Sequence, residues 1–194
     1  MADIDFSNWP KIGQGSERSC YQDPDNPMRV VKVSPIENAK QTLREIEYFQ
    51  HLIKNKVPFD HIPLYYGSFK KDGIIGIIQE MIPTTPGSTE PAQRLREFLD
   101  SKPTEEEIAE LHRALAKLKD YLMKWDIVLC DLQISNVVIQ YTPDGMRLVI
   151  LDGLGATELI PLSRWFRNIC HQKTTRHWKK FCRKITRRNG NVTF

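Results

Sequence analysis

Over roughly the first eighty residues apolar and polar positions alternate in short runs; beyond them apolar positions recur at three- and four-residue steps, so the pattern predicts a strand-rich half and a helical half. Trp9 to Ile12 and Ser19 to Gln22 read as two short strands around a glycine-bearing turn. Asp23-Pro24-Asp25-Asn26-Pro27 then breaks the chain before a β-branched strand from Met28 to Val33. Leu43, Ile46, Phe49 and Ile53 carry helical spacing across Asn38 to Lys54. Tyr65 to Phe69 and Gly73 to Gln79, joined across Lys71-Asp72-Gly73, predict a hairpin that runs into Glu80-Met81-Ile82-Pro83, and Thr84 to Pro91 is a loop by composition. The clearest helix starts at Thr104, which can cap it while Glu107 completes a capping box. Ile108, Leu111, Leu115, Leu118, Leu122 and Trp125 form its core stripe. Val137 to Gln140 and Met146 to Leu151 flank Thr142-Pro143-Asp144-Gly145 as a second hairpin, with Asp152 at its far end. Trp178, Phe181, Cys182 and Ile185 share one face of a last, amphipathic helix.

A sheet-containing half, a helical half and a connector at Glu80 to Pro83 predict two lobes with a cleft. Residues 1–82 form the first lobe, 83–163 the second, and 164–194 a basic C-terminal helix and tail. At 194 residues the chain can bury a real core. Four cysteines without paired spacing, no signal-peptide-like start and no apolar run near 18 residues predict a reduced, cytoplasmic protein. Charge adds one asymmetry. Of 28 Lys and Arg, ten fall between Arg164 and Arg188, where there is no acid, so the rest of the chain carries 18 bases against 24 acids. Such a block attracts anionic partners, whether nucleic acid, anionic lipid or an acidic protein, through a salt-sensitive field. The preferred reading is that the helix docks on the fold; compatible with it, the basic face could collect a substrate or an anionic membrane, placing the protein peripheral to the inner membrane. No motif for sequence-specific nucleic-acid reading is present.

The candidate chemistry lies around the second hairpin. Asp131 stands five residues before Asn136, and the hairpin returns to Asp152; this spacing suits a base and two metal ligands aimed at one phosphate. Asp131 would take the proton of an attacking hydroxyl, and Asn136 and Asp152 would hold magnesium, whose shell needs few protein oxygens. Taken singly, each is also explained as a turn-forming Asx residue. In the strand-rich half, Lys32 lies on an apolar strand, where an ammonium is costly unless partnered. Glu45 is the better partner than Glu47 because it shares a helical stripe with Phe49 and Leu52. Gly13 and Gly15 permit close backbone approach to a phosphate, or make an ordinary hairpin turn. Cys130 reads as a small apolar filler, and the five histidines show no zinc-type pairing.

In order along the chain, Ile12-Gly13-Gln14-Gly15-Ser16, Val30-Val31-Lys32-Val33, Leu43-Arg44-Glu45-Ile46, Asp131, Asn136 and Asp152 resemble the glycine-rich loop, ATP-lysine strand, regulatory helix and catalytic elements of protein kinases. Tyr48-Phe49, Ile62 to Gly67, Leu118 to Leu122, Leu159 to Ser163 and Arg176 to Phe181 are similar, more narrowly, to the small bacterial YrbL family of PhoP regulatory network proteins. The resemblance implies an α+β, truncated bilobal kinase-like fold with a small antiparallel N-lobe sheet and a reduced helical C-lobe. It implies ATP and magnesium as cofactors, with Lys32 and Glu45 on the phosphates and Gly13, Gly15, Ser16, Glu80 and Ile82 around the nucleotide. It departs from protein kinases at Leu129 and Cys130, where His and Arg precede the catalytic Asp, and at Gln133, where a Lys follows it. Gly153-Leu154-Gly155 replaces the usual Phe-Gly, and no Ala-Pro-Glu segment follows. An amide does not neutralise a transferring phosphoryl group as an ammonium does, which favours a non-protein acceptor. The expectation is therefore a phosphotransferase acting on an unidentified hydroxyl acceptor. Alternatives are a pseudokinase-type module that binds a regulatory partner without catalysis and, ranked lower, a membrane-associated sugar or lipopolysaccharide-core kinase.

Overall fold

A computed structural model describes residues 6–15, 17–155, 167–190 and 192. It divides into two compact units, Met1–Val57 with Pro63–Ile82 and Pro58–Ile62 with Pro83–Phe194. Both mix helices with small antiparallel sheets, so the protein is α+β.

The strand signals of the first half produce β1 (Lys11–Gln14), β2 (Ser19–Gln22), β3 (Arg29–Pro35), β4 (Tyr65–Lys71) and β5 (Ile74–Glu80). They pair antiparallel in the order β1-β2-β3-β5-β4. The β4–β5 turn falls on Asp72 and Gly73, with φ of 48° and 77°; such left-handed pairs match the twist of the strands they join. Helix α1 (Lys40–Lys54) follows a 3-10 turn at Ile36–Asn38. Its Ile46 packs with Ala39, Ile75 and Ile77, and the Phe49 ring stacks on Tyr65 at 5.0 Å. The apolar stripe read from the sequence is corrected at both ends, since Leu43 and Ile53 are about half exposed. The buried face is instead Thr42, Glu45, Ile46, Tyr48, Phe49 and Leu52. It is turned by the polar side chains of β3: Ser34 Oγ lies 2.7 Å from Thr42 Oγ1, and Lys32 reaches Glu45. Residues two apart on a strand meet residues three apart on a helix, so these contacts form two rungs of one ladder.

In the second unit β6 (Gln93–Arg94) leads into α2 (Leu95–Asp100), then α3 (Glu105–Lys124), β7 (Val137–Thr142), β8 (Gly145–Ile150) and α4 (Arg167–Arg188). The expected capping box is formed at α3: Thr104 Oγ1 accepts from Glu107 N at 3.3 Å, and Glu107 Oε2 accepts from Thr104 N at 2.7 Å. Ile108, Leu111, Leu115, Leu118 and Leu122 are buried as the spacing required, and Ala114 and Tyr121 join them. Trp125 is the C-cap residue beyond the helix. Strands β6, β7 and β8 make a second antiparallel sheet, and α3 packs on β8. Helix α4 buries Trp178, Phe181, Cys182 and Ile185, the four residues its pattern singled out, together with Cys170 and Thr174. Thr174 Oγ1 donates to Ile127 O at 3.0 Å, and Arg188 forks onto Asp100 of α2. The amphipathic helix is therefore docked on its own unit.

Candidate functional site

The chemistry predicted from the sequence falls in two places, one in each unit. In the first unit, β3 and α1 carry a buried polar cluster. Lys32 Nζ donates to Glu45 Oε1 at 3.2 Å, Gln79 Nε2 of β5 donates to the same oxygen at 3.3 Å, and Arg18 Nη1 donates to Glu45 Oε2. Arg18, Lys32 and Glu45 are 5%, 7% and 2% exposed. A buried ion pair of this kind does little for stability, because desolvation offsets the Coulombic gain. Glu45 is thus buried against Lys32, whereas Glu47 is exposed. Arg18 is the last residue of the β1–β2 turn, where nothing in the local pattern marks it.

That turn is closed by Gly15 N donating to Arg18 O at 2.7 Å. Gly13 pairs with Cys20 within the hairpin. A Cβ built on Gly13 or Gly15 would meet its nearest neighbour at 3.5 or 3.6 Å, ordinary contact, and neither glycine has a positive φ. The hairpin itself thus has no need of glycine at these positions. Ser16 lies outside the described residues, as do Leu159 to Ser163. At the end of β5, Glu80 N donates to Leu64 O and Met81 N to Met28 O, both at 2.9 Å. The backbone N–H of Ile82 has no acceptor among the described residues, although the side chain is buried.

In the second unit a small set of backbone bonds gathers the other three predicted residues. The stretch before Asp131 pairs antiparallel with the stretch after Asp152 through a bridge at Leu129 and Leu154. Cys130 N and Asp131 N both donate to Gly153 O, at 2.9 and 3.3 Å, and Gly155 N donates to Val128 O at 2.9 Å. Leu151 N donates to Asn136 O at 2.7 Å. Asp131 and Asn136 are thereby tied to the residues on either side of Asp152. Gly153 makes the fit possible: its φ is +87°, and a Cβ there would lie 1.8 Å from Asp131 O. The loop is gripped from β6 and α2 as well, with Arg96 N donating to Ile134 O at 3.2 Å and Arg94 Nη1 to Ser135 O at 2.5 Å. The side chain of Asp131 is exposed, and its Oδ1 accepts from Gln133 Nε2 at 2.6 Å. Asn136 Oδ1 accepts from Ser135 Oγ at 3.3 Å, and Asp152 Oδ1 from Gly153 N at 2.7 Å.

Leu129 is fully buried, so it fills the core as expected of an apolar residue there. Cys130 Sγ lies 3.8 Å from Leu154 O, and all four cysteines are free thiols. His61 is a structural histidine. Its Nδ1–H donates to Leu148 O at 2.7 Å, a carbonyl that can only accept, and burial holds its pKa below the usual imidazole range. Among the described residues no group of three or more His, Cys, Asp or Glu gathers as a metal cluster. Asp152 and Asn136 offer one carboxylate and one amide oxygen, hard donors of the kind magnesium takes alongside water and phosphate.

An α+β chain with a buried lysine–glutamate pair in one unit and a carboxylate–amide–carboxylate group in the other defines the structural class. Residues 4–186 match the family of PhoP regulatory network protein YrbL, and the chain belongs to that family. It is 31% identical over 182 residues to the protein YrbL of Escherichia coli (strain K12), covering 92% of this chain and 86% of that protein. The YrbL protein of Shigella flexneri matches to the same extent.

Proposed function

We propose that this protein is a magnesium- and ATP-dependent phosphotransferase acting on a hydroxyl acceptor, built on a reduced bilobal kinase-like fold. The observation that carries the proposal is the pairing through Gly153 O, which commits backbone geometry and a glycine at +87° to holding Asp131 beside the Asp152 turn. A turn-forming role for any one of these residues would not need the other two. The order of elements supports the same reading: glycine-bearing hairpin, lysine strand, glutamate helix, hairpin, helix, loop and acidic hairpin end.

The exposed Asp131 carboxylate accepts the acceptor's proton as that oxygen forms its bond to the γ-phosphorus and the bond to the ADP oxygen breaks. Asn136 and Asp152 would hold magnesium, which would supply charge neutralisation to the phosphates. Lys32, oriented by Glu45, contacts phosphate oxygens, and Gly13 and Gly15 leave room for backbone amides to approach them. The free N–H of Ile82 and the carbonyl of Glu80 suit the edge of an adenine base. A titration of ATP with and without magnesium, read by thermal shift, tests the binding half. At 100-fold over the dissociation constant it should add about 2.7 kcal/mol of stability. Absence of any magnesium-dependent shift sinks the proposal. Asp131→Ala should abolish ADP release while keeping the shift.

One observation favours a second reading, a regulatory module that binds nucleotide without turnover. Gln133 stands where protein kinases carry a lysine, and its amide occupies one oxygen of Asp131. Binding with no Asp131-dependent ADP release would select that reading.

A further inference from the structure

We propose that Lys184 of α4 is a positioning residue for the phosphoryl-transfer loop, its ammonium acting through Gln133 to supply the charge that the loop itself lacks. This inference rests on the phosphotransferase reading above. Gln133 Oε1 accepts a hydrogen bond from Lys184 Nζ, across 51 residues of sequence, while Gln133 Nε2 donates to Asp131 Oδ1 at 2.6 Å. An amide with a carboxylate on one side and an ammonium on the other has one favourable orientation, NH₂ toward the anion and oxygen toward the cation. Lys184 therefore fixes which way Gln133 faces. Gln133 in turn holds Oδ1 of Asp131, which leaves Oδ2 as the oxygen to take the acceptor's proton.

The lysine is held as firmly as its helix. Phe181 and Ile185, either side of it, are fully buried, so Lys184 emerges from a turn of α4 that cannot shift without opening the core. His177, two helical turns earlier on the same face, also senses the Asp131 carboxylate. Burial and the neighbouring Arg176, Lys173 and Lys180 hold its pKa down, and Asp131 opposes them. The Lys184–Gln133 bond turns this face of α4 to the loop. In a transferring phosphoryl group negative charge spreads over the oxygens, and a fixed cation near the base favours that state over the ground state. The basic helix completes a site from which residue 133 alone would leave a charge missing.

The test uses the full-length protein with MgATP, water serving as acceptor, and follows ADP release. Lys184→Met should lower kcat by about 10- to 100-fold, the usual cost of losing a group that orients a functional side chain. KM for MgATP should stay within about threefold, because the charge acts on the transition state more than on binding. Gln133→Lys in the Lys184→Met background places an ammonium directly beside Asp131 and should recover most of the loss. Gln133→Leu removes the relay without touching α4 and should match Lys184→Met in kcat, which carries the test if the helix variant folds poorly. Unchanged kcat in either single variant, a loss confined to KM, or no recovery in the double variant overturns the inference while leaving an active wild type intact. A wild type without Asp131-dependent ADP release overturns the phosphotransferase reading, and this inference with it.

Discussion

Gly153→Ala is expected to loosen the second unit, and more than Gly145→Ala does. A Cβ at this position would lie 1.8 Å from Asp131 O and 2.9 Å from Asp131 C. That atom is backbone, so no side-chain rotation relieves the overlap, and Asp131 or Gly153 must move by well over an ångström. Moving either breaks the bonds from Cys130 N and Asp131 N to Gly153 O, each worth about 1 kcal/mol net. An L-residue held at φ of +87° adds about 1 to 2 kcal/mol. Together these terms come to about 3 to 4 kcal/mol, or roughly 6 to 16 °C in the thermal midpoint of a chain this size. Gly145→Ala is the control. Its φ is +98°, but its Cβ meets only Glu110 Oε1, the end of a flexible side chain, at 2.8 Å, so the cost should stay near about 1 to 2 kcal/mol. Urea denaturation followed by circular dichroism and tryptophan fluorescence measures both. If the two variants are equally stable, or Gly153→Ala lies within about 0.5 kcal/mol of wild type, the pairing of the Asp131 and Asp152 segments is not as described.

Three further outcomes follow from the geometry. Gly13→Ala and Gly15→Ala should each leave urea stability within about 0.5 kcal/mol of wild type, yet weaken the ATP-induced thermal shift; an unchanged shift would show that the glycines only make a turn. Glu45→Gln should destabilise the first unit by about 3 kcal/mol, and Lys32→Met by less, because Glu45 then keeps Arg18 and Gln79. The reverse order in denaturant midpoints would refute the three-donor description of Glu45. His61 is held below its unfolded pKa of about 6.5 by burial, with Arg147 and Lys117 adding to the effect and Asp60 opposing it. The unfolded chain therefore binds the proton first, so this contribution is whole above about pH 6.5 and is lost as pH falls through the lower, folded value. His177 acts in the same direction. His61→Phe should flatten the pH 7 to 5 slope of stability without removing it; an unaltered slope would rule out the role given to His61.

What the chain makes legible is what local periodicity and local chemistry encode. The Thr104–Glu107 capping box, the α3 stripe from Ile108 to Leu122 and the amphipathic face of α4 all involve residues within a few turns of one another, and each is found as read, Trp125 alone falling at the cap beyond the stripe. The choice between Glu45 and Glu47 was also legible, because one stripe carries Glu45 with Phe49 and Leu52. Leu43 and Ile53 misled because helical spacing does not say where an apolar face ends, and the polar Ser34–Thr42 and Lys32–Glu45 rungs decided it. Strand β6 and helix α2 escaped notice because two and six residues are too few to show a period. The contacts of Arg18 with Glu45 and of Lys184 with Gln133 span 27 and 51 residues and leave no local signal. The triplet of Asp131, Asn136 and Asp152 was visible through spacing alone; the glycine that binds it together was visible only as a missing phenylalanine.

The docking of α4 also determines how it would meet a membrane. An interfacial helix inserts its apolar face among acyl chains, but here Trp178, Phe181, Cys182 and Ile185 are at most 8% exposed and already packed on their own unit. Releasing Phe181 and Ile185 alone would cost about 3 to 6 kcal/mol. Lys179, Lys180, Arg183 and Arg187 remain exposed, and four such cations at an anionic surface supply about 4 kcal/mol without any insertion. Surface attraction with α4 still docked is thus the cheaper mode, and it must be electrostatic. Sedimentation with vesicles containing phosphatidylserine should carry the protein down at 0.1 M salt and release it at 1 M, where the screening length falls from about 10 Å to about 3 Å. Neutral vesicles should carry none. Binding that survives 1 M salt, or a Trp178 emission shift on binding, would mean that α4 leaves its seat. In that case Lys184 would leave Gln133 with it, and membrane contact should lower the rate of ADP release.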